Sequence, residues 1–521
     1  MANKKTLKKI KELTHEFIPT AWSHLTNMTT KELASLSFMK WTATSLKQFD
    51  SKIKLAMLSE DYQEKVSVAV EVTMDNGASI NYLFVPEEHS LFSLAEDLRI
   101  SWGPKLRTSK NTEFSISHIE DMPWTQEQLV DLLASLVDLS RWTQPEFKKI
   151  KSSGVVPASA SYSFNADLPA DVINSIMAKA SHKAVAQNYA RRLSSLPYSH
   201  LNSADLVNEA IKATSDIPGC EVTHYTVDML KDLGAGAFCA VVQGTKDPQG
   251  GIVVVKRRTN KTKPIVLVGK GITFDTGGLN LKTDGGLTGM HRDMTGAAVT
   301  LGLFKELCYA RPDLDLSLYL AIGENMISEK SFLPGDVVEA MNGKTIEIDD
   351  TDAEGRLVLY DTLLLAEREI LSKKAVVITV ATLTGSCVDV AGPRRAVVAT
   401  NREKLWEVLY AVGKKSAERV VPVPIDDEFE DELKTSLIAD STQNTGHSAE
   451  HCYAAAFLAS AVNEEKTFIH LDIGGTEFAA DGLGLVNTAV TGFGCRFLYQ
   501  LIDEELSPLT VKKLKKDHHE K

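Results

Sequence analysis

The pattern of apolar and polar positions changes character near residue 200. Before it, strand-like runs such as Val66-Ser67-Val68-Ala69-Val70-Glu71-Val72 mix with helical ones such as Gln126 to Leu139. A Ser/Ala/Pro-rich stretch from Ser152 to Pro169 reads as a linker or long loop. From Ala170 to Leu196, apolar Ile173, Ile176 and Met177 recur at helical spacing and the segment closes on Arg191-Arg192, which predicts one long helix. Beyond it, strand and helix patterns alternate. Apolar runs at Phe238–Gln243, Ile252–Lys256, Ile265–Val268, Leu316–Ile322, Val376–Thr382 and Thr467–Ile473 predict strands, and segments such as Ala297–Tyr309 and Leu357–Leu371 predict helices. Unbroken apolar strands belong to sheets covered on both faces. The expected fold class is therefore α/β. An N-terminal α/β domain over residues 1–165 is joined by a linker and interdomain helix (166–196) to a larger C-terminal domain (197–508). That domain carries a mixed, mostly parallel sheet flanked by helices, and a charged tail (509–521) follows.

Composition narrows the classes. The chain has 521 residues, enough for two or more domains, with hydrophobic and charged fractions of 43% and 24%, those of a soluble globular protein. Its 57 Lys and Arg against 69 Asp and Glu leave a formal charge of -12, which argues against nucleic acid as a general partner, a local basic patch aside. No apolar stretch approaches the roughly 18 residues that span a bilayer, so no membrane partner is expected. The basic residues of Met1 to Ile10 have no apolar run behind them. They read as a solvated amphipathic helix in preference to a mitochondrial presequence, and not as a secretory signal. Cys220, Cys239, Cys308, Cys387, Cys452 and Cys495 form no C-x-x-C pair, which disfavours a disulfide framework or a thiolate zinc site and fits a reducing cytoplasm. Pro248 to Gly251 lacks Walker or dinucleotide spacing, and Ser386 has no G-x-S-x-G elbow around it.

The chemistry concentrates in three places. Ile348-Asp349-Asp350-Thr351-Asp352-Ala353-Glu354-Gly355-Arg356-Leu357 sets two carboxylates and a guanidinium at the mouth of an apolar helix. Spaced acids are what a divalent ion needs, and the arginine fork suits a carboxylate-like anion. Upstream, Ile265 to Lys282 runs as an apolar strand into a turn holding Lys270, Asp275, Gly277-Gly278 and Lys282, and Met290 to Ala298 places Asp293 just before a small-residue helix start. Asp275 and Thr384-Gly385 follow predicted strands, where ligands gather in doubly covered sheets. Lys270, Asp275, Asp293, Asp352 and Glu354 thus form a carboxylate-rich set with one amine. Blander readings remain beside this one: Lys270 in a structural ion pair, Lys282 on the solvated surface, Arg356 bridged to Asp349 or Asp350.

The blocks Val268–Lys282, Met290–Ala298 and Met341–Leu357 resemble the leucyl aminopeptidase (cytosol aminopeptidase) family of two-metal metallopeptidases in order and spacing. Weaker matches follow at Ala381–Gly385 and Thr491–Gly494. The resemblance implies a cytoplasmic enzyme that removes the N-terminal residue, Leu or another apolar one, from peptides with a free N-terminus. It implies two divalent ions, Mn²⁺ or Zn²⁺, bridged by Asp275 and Glu354, with Asp293 and Lys270 on one and Asp352 on the other. Lys282 would stabilise the oxyanion and Arg356 would hold a bicarbonate that shuttles a proton. Met290, Thr382, Leu383 and Gly385 match positions around the substrate, and the family assembles as a homohexamer.

Two departures stand out. Asp350 replaces the Asn that usually precedes Thr-Asp-Ala-Glu-Gly-Arg, and Asn444 to Cys452 replaces a Gly-rich segment, which puts the pocket's shape in question. Within that stretch, His447-Ser448-Ala449-Glu450-His451 fits H-x-x-E-H, a rival single-zinc pattern with both His on one helical face and Glu450 as base. A remodelled pocket would also permit a specialised Cys-Gly-type dipeptidase, and the resemblance extends to non-catalytic regulatory or DNA-binding relatives.

Overall fold

The computed structural model describes residues 35–40, 53–56, 68–73, 79–85, 90–116, 123–148, 161–259 and 261–506. The expected N-terminal amphipathic helix and the tail from Val511 lie outside them. The chain divides into two compact units, one of residues 1–143, 148–181 and 484–487, the other of residues 144–147, 182–483 and 488–521.

The first unit carries a six-stranded sheet. Its strands are β1 (Ser35–Lys40), β2 (Ile53–Ala56), β3 (Val68–Thr73), β4 (Ser79–Val85), β5 (Asn111–Ile116) and β6 (Ser161–Asn165), in the order β2-β3-β4-β1-β5-β6. Helices α1 (Leu91–Ser101) and α2 (Gln126–Ser140) belong to the same unit. A capping box closes the start of α2: Thr125 Oγ1 accepts the Gln128 N–H while the Gln128 side chain accepts that of Thr125. Strand β6 corrects the linker reading of Ser152–Pro169, of which residues 152–160 lie outside the described residues. Within Ser-Tyr-Ser-Phe-Asn the polar and aromatic positions alternate with strand period, and Phe164 stacks on Phe114 at 5.1 Å. Local composition favours a loop, but a cross-strand aromatic pair outweighs it. The long helix comes next, α3 (Ala170–Ser194).

The second unit is built on an eight-stranded mixed sheet. Its members are β7 (Cys220–Thr226), β8 (Gly251–Arg257), β9 (Ile265–Asp275), β10 (Leu316–Asn325), β13 (Val376–Ala381), β14 (Ala396–Thr400), β15 (Val420–Val423) and β17 (Thr467–Asp472). They run in the order β15-β14-β17-β13-β9-β10-β8-β7. The centre, β17-β13-β9-β10, is parallel, and the antiparallel pairs lie toward the two edges. Every residue of β10 and β13 is buried, as expected of strands covered on both faces. A small sheet of β11 (Val337–Glu339), β12 (Thr345–Glu347) and β16 (Ser441–Thr442) stands apart.

The run Phe238–Gln243, expected as a strand, is helical instead as far as Val242, within α4 (Gly236–Val242), and Gln243 caps the helix. A short apolar run does not distinguish a strand from a buried helix by itself. Tertiary structure decides it: the Asp361 carboxylate accepts the Phe238 N–H at 2.8 Å, satisfying a donor that the helix start leaves open.

Helix α5 (Thr295–Ala310) packs against β9 and β13 where side chains vanish. A Cβ on Gly296 would stand 2.2 Å from the Val380 carbonyl oxygen, and one on Gly269 would stand 2.7 Å from Ala297 Cα. Helix α6 (Glu354–Glu369) also packs on β9. A Cβ on Gly355 would lie 2.8 Å from Lys270 Nζ. Successive residues of β9 therefore address different helices, Gly269 meeting α5 and Lys270 meeting α6, as strand alternation requires.

Candidate metal centre

The carboxyl end of β9 is bent into position. Its pairing with β10 is irregular between Gly323 and Asn325, so that Asp275 comes opposite Asn325. There Asn325 Nδ2 donates to Asp275 Oδ1 at 2.9 Å and to the Thr351 carbonyl at 3.0 Å. The turn beyond needs glycine. Gly277 and Gly278 have φ of 84° and 64°, and a Cβ on Gly277 would stand 2.9 Å from Asp352 Oδ1. Buried Thr351 stitches the two loops together, accepting the Asn280 N–H at 2.8 Å and donating to the Gly277 carbonyl at 2.7 Å.

Four carboxylates and two ammonium groups converge on this bend. Lys270 Nζ lies 2.8 Å from Asp293 Oδ1 and 2.7 Å from Glu354 Oε1, and donates to the Thr382 carbonyl at 3.0 Å. Lys282 Nζ lies 2.9 Å from Asp275 Oδ2 and 2.5 Å from Asp352 Oδ1. Lys270, Asp275, Asp293 and Glu354 are buried, whereas Lys282 and Asp352 are partly open. Among the described residues, one group of acids, imidazoles or thiols brings its donor atoms within 4.8 Å of one another: Asp275, Asp293 and Glu354.

The balance of charge is strained. Burial raises the Glu354 carboxyl, with Asp275 adding to the rise and Lys270 and Lys282 opposing it. Burial also pushes Asp293 well above the ordinary range against the pull of Lys270. Asp352 is pushed up to about 7 by burial and by its acidic neighbours Asp275 and Glu354. Burial works against both ammonium groups, but the carboxylates outweigh it and hold Lys270 and Lys282 above the ordinary lysine value. The donor set fits divalent ions on a direct observation: Asp293 Oδ2 is buried with no hydrogen-bond partner among the described residues, a cost that coordination would remove.

The remaining expected residues occupy varied places. Thr382 sits against the acids themselves: its hydroxyl donates to Asp293 Oδ1 at 2.7 Å. A Cβ on Gly355 would meet Leu383 Cδ1 at 2.8 Å, which puts Leu383 beside the start of α6. Met290 and Leu383 are half-buried and Gly385 is exposed. Among the described residues, Asp350 pairs with no lysine and not with Arg356. Its Oδ1 accepts the Asp352 N–H at 2.8 Å, a turn that aims the Asp352 side chain. Arg356, buried, does not bridge Asp349 or Asp350 either. Its Nη1 donates to the Gln443 carbonyl at 2.8 Å and its Nη2 lies 2.6 Å from Glu450 Oε1.

The H-x-x-E-H trio does not assemble. Helix α7 spans Glu450–Ala459, so His447 precedes it and the two histidines share no helical face. His447 is exposed with Nε2 3.8 Å from Glu432, the His451 N–H donates to the Ser386 hydroxyl at 3.0 Å and its Nδ1 lies 3.0 Å from that same oxygen, and Glu450 is engaged by Arg356. The spacing presupposes a helix that in fact begins three residues too late.

Four residues that the sequence motifs leave out of the site hold it in shape. Asn325 orients Asp275. Asp472 accepts the Leu383 and Thr384 N–H groups at 3.0 and 3.1 Å and so folds the loop after β13. Buried Gln443 accepts the Asp349 N–H at 2.7 Å and donates to the Asp350 carbonyl. Glu450 stands out in sequence only through the rival pattern. Asn325 and Asp472 end β10 and β17, so the strand-end rule that points to Asp275 could have found them. No local signal marks Gln443. A cavity of about 750 Å³ bordered by Asn401, Arg402, Trp406, Asp427 and Lys434 lies elsewhere in this unit and shares no residue with the acids.

Over residues 188–499 the chain matches the catalytic domain of the cytosol aminopeptidase family. The "probable cytosol aminopeptidase" of Chlorobaculum tepidum is 38% identical over 317 residues, 61% of this chain and 62% of that protein. The match therefore spans a little under two thirds of that relative's length. That of Exiguobacterium sibiricum is 34% identical over 379 residues, 73% of this chain and 77% of the relative. The cytosol aminopeptidase of Coxiella burnetii superposes with a TM-score of 0.69 at 25% identity, covering 84% of this chain and 89% of that one. The bottromycin maturation enzyme BotP, solved in complex with Mn, gives 0.73 at 22% identity over 90% and 98%, a likeness of fold.

Proposed function

Because the chain belongs to the cytosol aminopeptidase family, we propose that it is a metal-dependent aminopeptidase that removes an apolar N-terminal residue, Leu foremost, from peptides. The observation that carries this reading is the buried trio Asp275, Asp293 and Glu354, whose donor atoms lie within 4.8 Å of one another, with Lys270 and Asp352 beside it. Asp275, Asp293, Asp352, Glu354 and Lys270 are the residues that would hold two divalent ions. Bound there, such ions supply an activated water and a polarised carbonyl at neutral pH. Carboxylate-rich donors suit Mn²⁺, and Zn²⁺ is the second choice.

The chain's own residues account for the rest. Lys282, held protonated by Asp275 and Asp352, offers N–H donors to an oxygen that gains negative charge, the interaction that lowers the barrier to acyl transfer. Lys270 is an ammonium beside Asp293 and Glu354, and only the repulsion of nearby dications would free its lone pair. Thr382 and Asn325 fix the rotamers of Asp293 and Asp275, so these carboxylates need little rearrangement. Met290, Leu383 and Gly385 would border the first side chain of the substrate, with Met290 a pliable apolar wall. A homohexamer in the cytoplasm completes the proposal.

The test is turnover of a leucine anilide after chelation and re-addition of metal. Mn²⁺ or Zn²⁺ should restore wild-type activity but not that of Glu354→Ala. Normal turnover by Glu354→Ala would refute the reading, and a panel of free dipeptides, Cys-Gly among them, reports specificity.

A further inference from the structure

The guanidinium of Arg356 is already paired. It is buried, its Nη1 donates to the Gln443 carbonyl at 2.8 Å, and its Nη2 meets Glu450 Oε1 at 2.6 Å. Glu450 belongs to the stretch Asn444–Cys452, where the sequence leaves the pattern of the family it resembles, and Gln443 stands just before it. Glu450 is the first residue of α7, and the unpaired N–H groups of a helix start favour a negative side chain there. Each Nη keeps one further N–H, and Nε is buried without a hydrogen-bond partner among the described residues. A bicarbonate seated at Arg356 would have to share that fork with an existing carboxylate and add like charge beside it. The residues present therefore do not fit a second anion.

We infer that the Glu450 carboxylate fills, from within the chain, the place at Arg356 that the resemblance assigns to a bicarbonate from solution, and that it serves as the proton carrier of the reaction. The inference rests on the aminopeptidase reading above. In the step it describes, the water oxygen bonds to the scissile carbonyl carbon as a water proton passes to Glu450. The same proton then moves to the nitrogen as the C–N bond breaks, which regenerates the carboxylate. Arg356 lies two residues beyond Glu354 on α6, and Gln443, which accepts from it, also holds the Asp349–Asp350 backbone that leads into Asp352. Glu450 keeps 30% of its side chain exposed, so a substrate entering from solvent can reach it. The enzyme then needs no dissolved carbonate.

The test compares wild type, Glu450→Ala and Glu450→Gln, each with Mn²⁺, in CO₂-free buffer with and without bicarbonate at fixed ionic strength. Calorimetric titration with bicarbonate and leucine-anilide turnover are read side by side. Wild type should bind no bicarbonate and turn over equally with or without it. Glu450→Ala should lose on the order of 10²-fold in turnover, the usual contribution of a positioned proton carrier. It should also bind bicarbonate calorimetrically and regain most of the loss when bicarbonate is added. Glu450→Gln keeps the shape without the charge and should lose turnover with an unchanged melting curve, which carries the test if the alanine variant folds poorly. Bicarbonate binding or stimulation in wild type equal to that of Glu450→Ala would overturn the inference, as would full turnover by Glu450→Gln. Wild type without any metal-dependent turnover would sink the aminopeptidase reading instead, and the calorimetric comparison would still decide the occupant of Arg356.

Discussion

Replacing Lys270 with Met in the metal-free protein removes the charge that holds the centre together. The side chain is buried, and its ammonium stands 2.8 Å from Asp293 and 2.7 Å from Glu354. At an effective dielectric of about 20, each contact is worth roughly 6 kcal/mol of attraction. Desolvating the ammonium takes back several kcal/mol, so the expected net loss is that of a broken buried ion pair, about 3–5 kcal/mol. Urea unfolding in EDTA, followed by circular dichroism, measures it. The pH dependence carries a sign. In wild type, burial already raises Asp293 and Glu354 while Lys270 holds them down. Without Lys270 they rise further, so the folded state binds more protons than the unfolded chain and stability falls as pH increases. The gap between Lys270→Met and wild type should therefore be larger at pH 8 than at pH 5. A variant within about 0.5 kcal/mol of wild type at pH 8 would refute the reasoning, since surface-like substitutions cost no more than that. So would a gap that narrows as pH rises.

Three further outcomes are expected. Asp350→Asn keeps an oxygen for the Asp352 N–H and should hold Mn²⁺ as wild type does, whereas Asp350→Ala should bind it roughly tenfold or more weakly in competition with a chelating dye. Gly296→Ala drives a Cβ to 2.2 Å from the Val380 carbonyl oxygen, a backbone clash that no rotamer relieves, and should lower the stability measured by urea denaturation by about 3 kcal/mol. Burial pushes the Asp361 carboxyl up from 3.8 to about 6 against the N–H groups of Met341, Phe238 and Ala237. Its raised pKa favours the folded state fully below pH 3.8, and that contribution, about 3 kcal/mol, is lost as pH climbs through 6. Asp361→Asn should flatten the stability profile between pH 4 and 6, which a denaturation series across that range would show or refute.

How far the sequence can be read depends on how local each cause is. The strands Ile265–Val268, Leu316–Ile322, Val376–Thr382 and Thr467–Ile473 announce themselves because a strand buried on both faces must be apolar throughout, and observed strands lie at all four. The same rule misleads at Phe238–Gln243, where Asp361, 123 residues away, captures the helix start. At the site, the glycines of the Gly277-Gly278 turn and the density of acids around Asp352 are legible, since positive φ and charge density are written in residue type.

What the sequence alone determined about this protein is its α/β class and a set of acids with one amine, because apolar patterning and charge are written in residue type and near neighbours. Pairing is not. That Asp350 aims Asp352, that Asn325 steadies Asp275 across two strands, and that Glu450 rather than Asp349 or Asp350 takes the arginine were decided only by the tertiary structure. A guanidinium next to two acids in sequence gives no sign of a carboxylate 94 residues on, since only folding brings the start of α7 against α6.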